Sequence, residues 1–441
     1  MFPTPEKSWR ILLWLAAFLA AGASRGTPAA EPPASLSVLA FGARGDGTGD
    51  DTAAVQRALD QAAAAGGVVW MPAGQYAIRG VLAIPVGVTL EGVWLGMHHG
   101  AQAGKGTTLL AYAGRGDEQA APFISLRSGS TVKGLTIVYP EQRIEAIQPY
   151  PWTIQGRGLH YNVIDTTIAN AYDGIDCGTY PNEGHHLSNV LLCAVHRGVY
   201  IDHCTDIGRL ENVHIHPNYW IQLPAPWGFG GRKEKVDALM DTMRAHLEGF
   251  VIARTDWEYV SNSFVIWAKI GFHFVKRPDG SANVLITQSG SDLGPLAVKV
   301  DEVQPSAGVA FENCQFMSGF EIAPENKGPI KLTNCGFWWT QSRTQSGSQM
   351  ILEGQGTVTL TATHFHLWDK GGTGDPCVDA RGGSLLMQGC DFMPVATQSP
   401  HIRLGPKVMS AAILGTRFEG GEMRIRNETT GDVQILGNVR H

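Results

Sequence analysis

Leu187-Ser188-Asn189-Val190-Leu191-Leu192 is the stretch that decides the fold. Its pattern is a small or amide residue followed by apolar, any, apolar, and it recurs along the chain. It is read at Gly134-Leu135-Thr136-Ile137, Asp165-Thr166-Thr167-Ile168, Asn212-Val213-His214-Ile215, Ser263-Phe264-Val265-Ile266 and Asn283-Val284-Leu285-Ile286. It continues at Asn313-Cys314-Gln315-Phe316, Asn334-Cys335-Gly336-Phe337, Ala362-Thr363-His364-Phe365, Gly389-Cys390-Asp391-Phe392 and Gly415-Thr416-Arg417-Phe418. The steps are 31, 24, 23, 51, 20, 30, 21, 28, 27 and 26 residues. A repeat of about 20–30 residues built on a period-2 strand is the signature of a solenoid.

A second register follows many of these rungs: Gly174-Ile175-Asp176-Cys177, Gly198-Val199-Tyr200-Ile201, Gly249-Phe250-Val251-Ile252, Gly271-Phe272-His273-Phe274 and Gly319-Phe320-Glu321-Ile322. Two short strands per coil at a fixed offset predict an all-β fold, a single-stranded parallel β-helix. A leucine-rich repeat needs a helical half-repeat, and a propeller needs four antiparallel strands per blade. Rungs stack about 4.8 Å apart, so equivalent positions form columns. Asn189, Asn212, Asn283, Asn313 and Asn334 share one such position and are expected to line a turn as an amide ladder.

The chain has 441 residues, of which only 17% are charged, with 54 glycines and a formal net charge of −6. Sparse charge with many glycines fits a solenoid of tight corners. It supplies no basic field for nucleic acid. Lys7 and Arg10 precede the apolar run Ile11 to Ala21, and Ala21-Gly22-Ala23 is a small-x-small cleavage site. Residues 1–23 therefore read as a signal peptide and 24–35 as a linker, which predicts a secreted or periplasmic protein with no membrane partner after cleavage. Residues 36–441 read as one β-helix domain, with an N-terminal cap over 36–80 that contains a helix over 53–62 begun by Asp51 or Thr52. The 51-residue step holds a long insertion, 216–248, with a helical stretch Glu234 to Arg244. Cys314, Cys335 and Cys390 fall on inward positions, so free core thiols are expected rather than disulfides. The oligomeric state is left open.

Phe41-Gly42-Ala43-Arg44-Gly45-Asp46-Gly47, Asp50-Asp51-Thr52 and Pro72-Ala73-Gly74-Gln75-Tyr76 carry a family signal. Residues 41–76 resemble the opening of the pectate-lyase-like superfamily, the rhamnogalacturonase/epimerase-like bacterial proteins related to glycoside hydrolase family 28. The resemblance implies a right-handed parallel β-helix that acts on or binds polysaccharide. That superfamily includes hydrolases, lyases, epimerases and tailspikes, so no single activity is implied. Gly184-His185-His186 and Arg424-Ile425-Arg426 echo family 28 motifs without their companion residues, so those roles are not carried over. The stretch Tyr150 to Tyr259 resembles a separate bacterial branch.

Aligning rungs on the second-strand Gly places Asp173, Arg197, Glu248 and Ile270 in one column. Asp176, Tyr200, Val251, His273 and Glu321 form the outward column, and Thr179, His203, Arg254 and Lys276 fall five residues after the Gly. Asp173 and Glu248 are two rungs apart, roughly 9.5 Å. That is the upper end of the separation of about 6.5–9.5 Å in inverting glycosidases, with Arg197 between them to set their charge. The favoured reading is a glycoside hydrolase whose catalytic candidates are Asp173, Glu248 and Arg197, extended by Asp176, Asp202 and Arg254. Trp152, Tyr200, Trp220 and Trp257 suit sugar stacking, with His203, His214, His216 and His273 as further substrate contacts. A polysaccharide lyase is the alternative, with His203, Arg254 and Lys276 supplying a base. Only that reading calls for calcium, from Asp173, Asp176 and Asp202; otherwise no cofactor or metal is expected. A non-catalytic polysaccharide-binding β-helix is the third possibility, and an ion-pair ladder would explain the charged column structurally.

Overall fold

The computed structural model describes residues 36–64, 66–97, 100–101, 105–338 and 347–440. The expected signal peptide and linker lie outside these residues. Strands of the long sheet pair in parallel, each with its equivalent one coil further on. The molecule is a right-handed parallel β-helix.

Each coil carries three strands rather than two. Leu187 pairs with Leu210 on one face and Leu192 with Ile215 on the next. Val199 pairs with Phe250 on the third face. The first two strands flank Asn189, whose φ of 58° turns the chain sharply between them. Both present apolar residues inward, so in sequence they merge into one alternating run.

This corner is the repeating marker. Gly134, Asp165, Asn189, Asn212, Asn262, Gln288, Asn313, Asn334, Ala362, Gly389 and Gly415 all have positive φ. Only Gly, Asn and Asp visit that region cheaply, which is why they dominate the column. Two positions differ from the sequence reading. The corner before Phe264 is Asn262, not Ser263, and Asn283 belongs to the strand Ala282–Thr287 while Gln288 makes the turn. The uneven steps of 20 and 30 become 26 (288 − 262) and 25 (313 − 288).

Amides on the corners bond rung to rung. Asn212 Nδ2 donates to Asn189 Oδ1 at 2.9 Å, and Asn334 Nδ2 to Asn313 Oδ1 at 2.7 Å. The residue after the corner points in and donates back to the carbonyl two residues earlier. Ser263, Ser289, Cys314 and Cys335 do this at 3.0, 2.8, 3.3 and 3.5 Å. Inside, Phe337, Phe365, Phe392 and Phe418 stack at 5.2, 4.7 and 5.2 Å between centroids. All seven cysteines are buried and free.

Helix α1 (Thr52–Ala63) buries Val55, Ala58, Leu59 and Ala62. The Asp51 carboxylate does not cap it. Instead it accepts the amides of Arg44 at 2.7 Å and Gly45 at 3.1 Å, while Thr52 Oγ1 accepts those of Arg79 and Gly80 at 2.9 and 3.1 Å. The Asp-Thr pair thus ties the preceding glycine-rich loop and the following strand to the start of the helix. The insertion holds α2 (Asn218–Ile221) and α3 (Lys233–His246) before the chain rejoins the third face at Glu248. Lys235 on α3 reaches Glu145 at 2.6 Å, tying the insertion to the loop of an earlier coil.

Candidate functional site

The third face brings the predicted column together. Trp152, Asp173, Arg197, Glu248 and Ile270 are successive partners on adjacent strands. The outward column reads Gln155, Asp176, Tyr200, Val251, His273, Lys299 and Glu321. Lys299 is an addition. Its rung has Ala297 where its neighbour has Gly271, so a search keyed to Gly passes over it.

At the first centre Asp173 is fully buried. Arg197 Nε donates to its Oδ1 at 3.0 Å, the Arg197 amide at 3.1 Å, and His196 Nδ1 lies 3.0 Å from the same oxygen. Arg197 also reaches Glu118 at 2.7 Å, and its guanidinium lies 4.4 Å above the Trp152 ring. Trp152 in turn stacks on Tyr200 at 6.2 Å. Glu118 comes from a loop and His196 from the strand that carries Arg197, and neither was singled out from the sequence. Glu118, Asp173 and His196 are close enough to share an ion, but Arg197 already neutralises this centre.

The second centre is built on His273. Its Nδ1 lies 3.2 Å from Glu248 Oε2 and its Nε2 2.9 Å from Asp301 Oδ2, while Lys299 reaches Asp301 at 3.0 Å. Burial alone would depress the imidazole, but the bonds to Asp301 and Glu248 outweigh it and raise its pKa. His273 in turn holds the Glu248 carboxyl below the usual carboxylate range and brings Asp301 down to about 2. Next along, burial raises Glu321, against the opposing charge of Lys299. Between the centres, Tyr200 donates to Asp202 at 2.7 Å, and burial followed by that bond pushes its hydroxyl up.

Several candidates stand elsewhere or are engaged in structure. Asp176 accepts Gln155 Nε2 at 2.7 Å and the amides of Gly178 and Thr179 at 2.7 and 2.9 Å, which makes it a turn-binding residue. Asp202 Oδ1 accepts the His203 and Arg254 amides at 2.8 and 3.1 Å. Asp173, Asp176 and Asp202 therefore do not converge as calcium ligands. Arg254 is tied to the Cys204 carbonyl at 2.6 Å and Asp256 at 2.8 Å, and His203 to the Gly178 carbonyl at 2.6 Å and Asp279 at 2.9 Å. Lys276 pairs with Glu302 at 2.8 Å. His214 and His216 are buried on the second face beneath the insertion, with His214 Nδ1 2.7 Å from the Tyr219 hydroxyl. Trp220 is 1% exposed and packs on Phe229, so it offers no ring to a sugar. The aromatic part of the insertion anchors it to the barrel because its apolar side faces the core. Trp257 is exposed at 46%, but it pairs with Ile207 on a different face from the column.

A family model described as "Rhamnogalacturonase A/epimerase, pectate lyase-like" matches residues 35–201. Over those residues the chain is similar to the pectate-lyase-like family, and its fold is the parallel β-helix. The matched segment of this β-helix includes Trp152, Asp173, Arg197 and Tyr200 and ends before Glu248 and His273. The mannuronan C5-epimerase AlgE4 of Azotobacter vinelandii is 44% identical over 68 residues, 14% of this chain and 12% of that protein. AlgE3 of the same organism is 56% identical over 46 residues, 10% of this chain and 2% of its own length. The match thus spans a small part of those relatives. Among solved structures, pre-mature bacteriophage phi29 gene product 12 aligns with a TM-score of 0.59 at 12% identity, over 92% of this chain and 56% of that one. Its N-terminal fragment aligns with a TM-score of 0.55 at 12% identity, over 92% and 71%. That likeness concerns the fold alone.

Proposed function

We propose that this pectate-lyase-like β-helix is an exported enzyme acting on a uronate-containing polysaccharide, and that its chemistry begins by removing the proton at C5 of a uronate. The observation that carries this reading is the outward network of Glu248, His273, Asp301 and Lys299. Removing that proton requires an ionised base and cations that neutralise the sugar carboxylate as charge builds on it. Glu248, held ionised by His273, is the base. His273 and Lys299 on consecutive rungs take the carboxylate, and Tyr200, in the same outward column, is the candidate to return a proton. Hydrolysis by a carboxylate pair needs one member kept protonated. Glu248 is shifted the opposite way and Asp173 is clamped by Arg197, so this pair suits hydrolysis less well. The likeness to mannuronan C5-epimerases supports the same substrate class.

Elimination and epimerisation share this first step and diverge afterwards. Incubating the protein with polymannuronate and polygalacturonate in heavy water tests the reading. Epimerisation should leave deuterium at C5, whereas elimination should leave unsaturated ends whose C5 carries no hydrogen at all. Reducing ends with neither deuterium nor unsaturation would establish a hydrolase instead. Binding without any turnover would establish a binding module.

A further inference from the structure

The interior of the β-helix holds a second polar cluster that the outward site does not use. His185, Cys204 and Glu258 are all buried, and their ligand atoms lie within 4.8 Å of one another. His185 and Glu258 stand on either side of Gly208 in an inward column. A Cβ on Gly208 would fall 2.3 Å from Glu258 Oε2 and 2.4 Å from His185 Cε1, so the glycine opens the space in which the two side chains meet. His185 Nε2 faces Glu258 Oε1 at 3.1 Å.

The opposite ring nitrogen is fixed. Asn182 Nδ2 donates to the carbonyls of Cys177, Tyr180 and Asp202 at 2.8, 3.1 and 2.9 Å, so its Oδ1 must be the atom facing His185 Nδ1 at 2.8 Å. Nδ1 therefore carries a proton. In a neutral ring, Nε2 would present its lone pair to the carboxylate and the thiol. A buried histidine oriented by an amide carbonyl on one nitrogen, with thiol and carboxylate on the other side, is the usual geometry of a metal-ligating imidazole. One further donor is nearby. The Tyr161 ring stacks on His185 at 6.1 Å, and its buried hydroxyl lacks a hydrogen-bond partner.

We propose that His185 Nε2, Cys204 Sγ and Glu258 form an internal site for a divalent transition-metal ion of the zinc type, with the Tyr161 hydroxyl available as a fourth donor. Mixed nitrogen, sulfur and carboxylate ligands select zinc over calcium or magnesium. Zinc–sulfur and zinc–nitrogen bonds of about 2.3 and 2.0 Å need only a slight contraction of such a cluster. Charge also balances. A divalent ion held by a neutral imidazole, a carboxylate and a thiolate makes a site of zero net charge. Occupancy thus places no unpaired charge in the core. The closed position makes the role structural, clamping three adjacent coils.

Elemental analysis of the full chain purified without chelator tests the site. About one equivalent of zinc that survives dialysis is expected. Unfolding the chain with chelator and refolding it with cobalt should give a thiolate-to-cobalt charge-transfer band, and refolding without metal should lower the thermal midpoint. Cys204→Ser should abolish the band, whereas Cys193→Ser should keep it. A chain that takes up no stoichiometric metal on refolding, or a band that persists in Cys204→Ser, overturns the proposal. Each of these readouts is independent of activity on any polysaccharide.

Discussion

Asp173 and Glu248 occupy one column, yet their surroundings assign them different work. Asp173 is fully buried and takes three hydrogen bonds from Arg197 and its backbone, whereas the Glu248 side chain is 28% exposed and touches His273. Asp173→Asn removes the buried one of the two carboxylates that Arg197 pairs with and should destabilise the fold by about 1–3 kcal/mol, seen as a lower thermal midpoint. Glu248→Gln should keep the midpoint and lower C5 exchange by about 10²–10⁴-fold. Equal effects of the two changes on rate and midpoint would contradict this division. The tryptophans divide in the same way. Trp220→Ala should cost about 3–5 kcal/mol by opening the core, and Trp257→Ala within about 0.5 kcal/mol; denaturant titration distinguishes them. At this scale the sequence showed which residues share a column but not which way each points. Register shifts between Cys204 and Ile207 and between Thr255 and Glu258 leave Asp256 and Trp257 both outside, so that Thr255 and Glu258, three residues apart, both face in. Simple alternation cannot reveal such a bulge.

The unit of construction at the next scale is the corner and the residue after it. Asn313 holds a φ of 55° and accepts the Asn334 amide. Asn313→Ala should therefore cost about 1–2 kcal/mol for the left-handed backbone plus roughly 1 kcal/mol for the bond. Asn313→Gly should recover the backbone part and lose only the bond. Comparing the three unfolding midpoints measures both contributions, and an alanine variant as stable as the glycine one would remove backbone strain from the account. The next position tolerates any short donor, since Ser263, Ser289 and Thr416 already take it alongside Cys314 and Cys335. Cys314→Ser should stay near wild type while Cys314→Ala loses on the order of 1–2 kcal/mol. The repeat was legible because this corner chemistry is local. The third strand was not, because a single left-handed residue separates two strands whose apolar periodicities run together.

Over the whole molecule, stacking turned a local pattern into a face, and the face was readable wherever Gly marked its rung. Lys299 and Asp301 escaped because Ala297 replaces that Gly, Glu118 because a loop delivers it, and His196 because it lies one residue before the aligned column. The charges gathered on the face make stability depend on pH in a direction that can be worked out. His273 has a raised pKa, so its contribution is complete below the ordinary imidazole value of about 6.5 and is lost as pH rises through the raised one. Asp301 and Glu248 have lowered pKa values, so their contributions are complete above the carboxylate range and are lost on acidification, towards about 2 for Asp301. His401 runs against His273. Burial, then Arg424, brings it down to about 4, so its contribution is lost as pH falls. Both histidines contribute to one curve, so the wild-type curve alone cannot isolate the surface network. The His273→Gln variant can. The stability gap between it and the wild type should be widest in mild acid and should close as the raised imidazole loses its proton in alkali. Denaturant titrations of both proteins across that range measure the gap. A gap that stays constant from mild acid to alkali would mean that His273 holds its two carboxylates as a neutral hydrogen-bonding ring, and the carboxylate-neutralising role proposed for it on the face would fail with it.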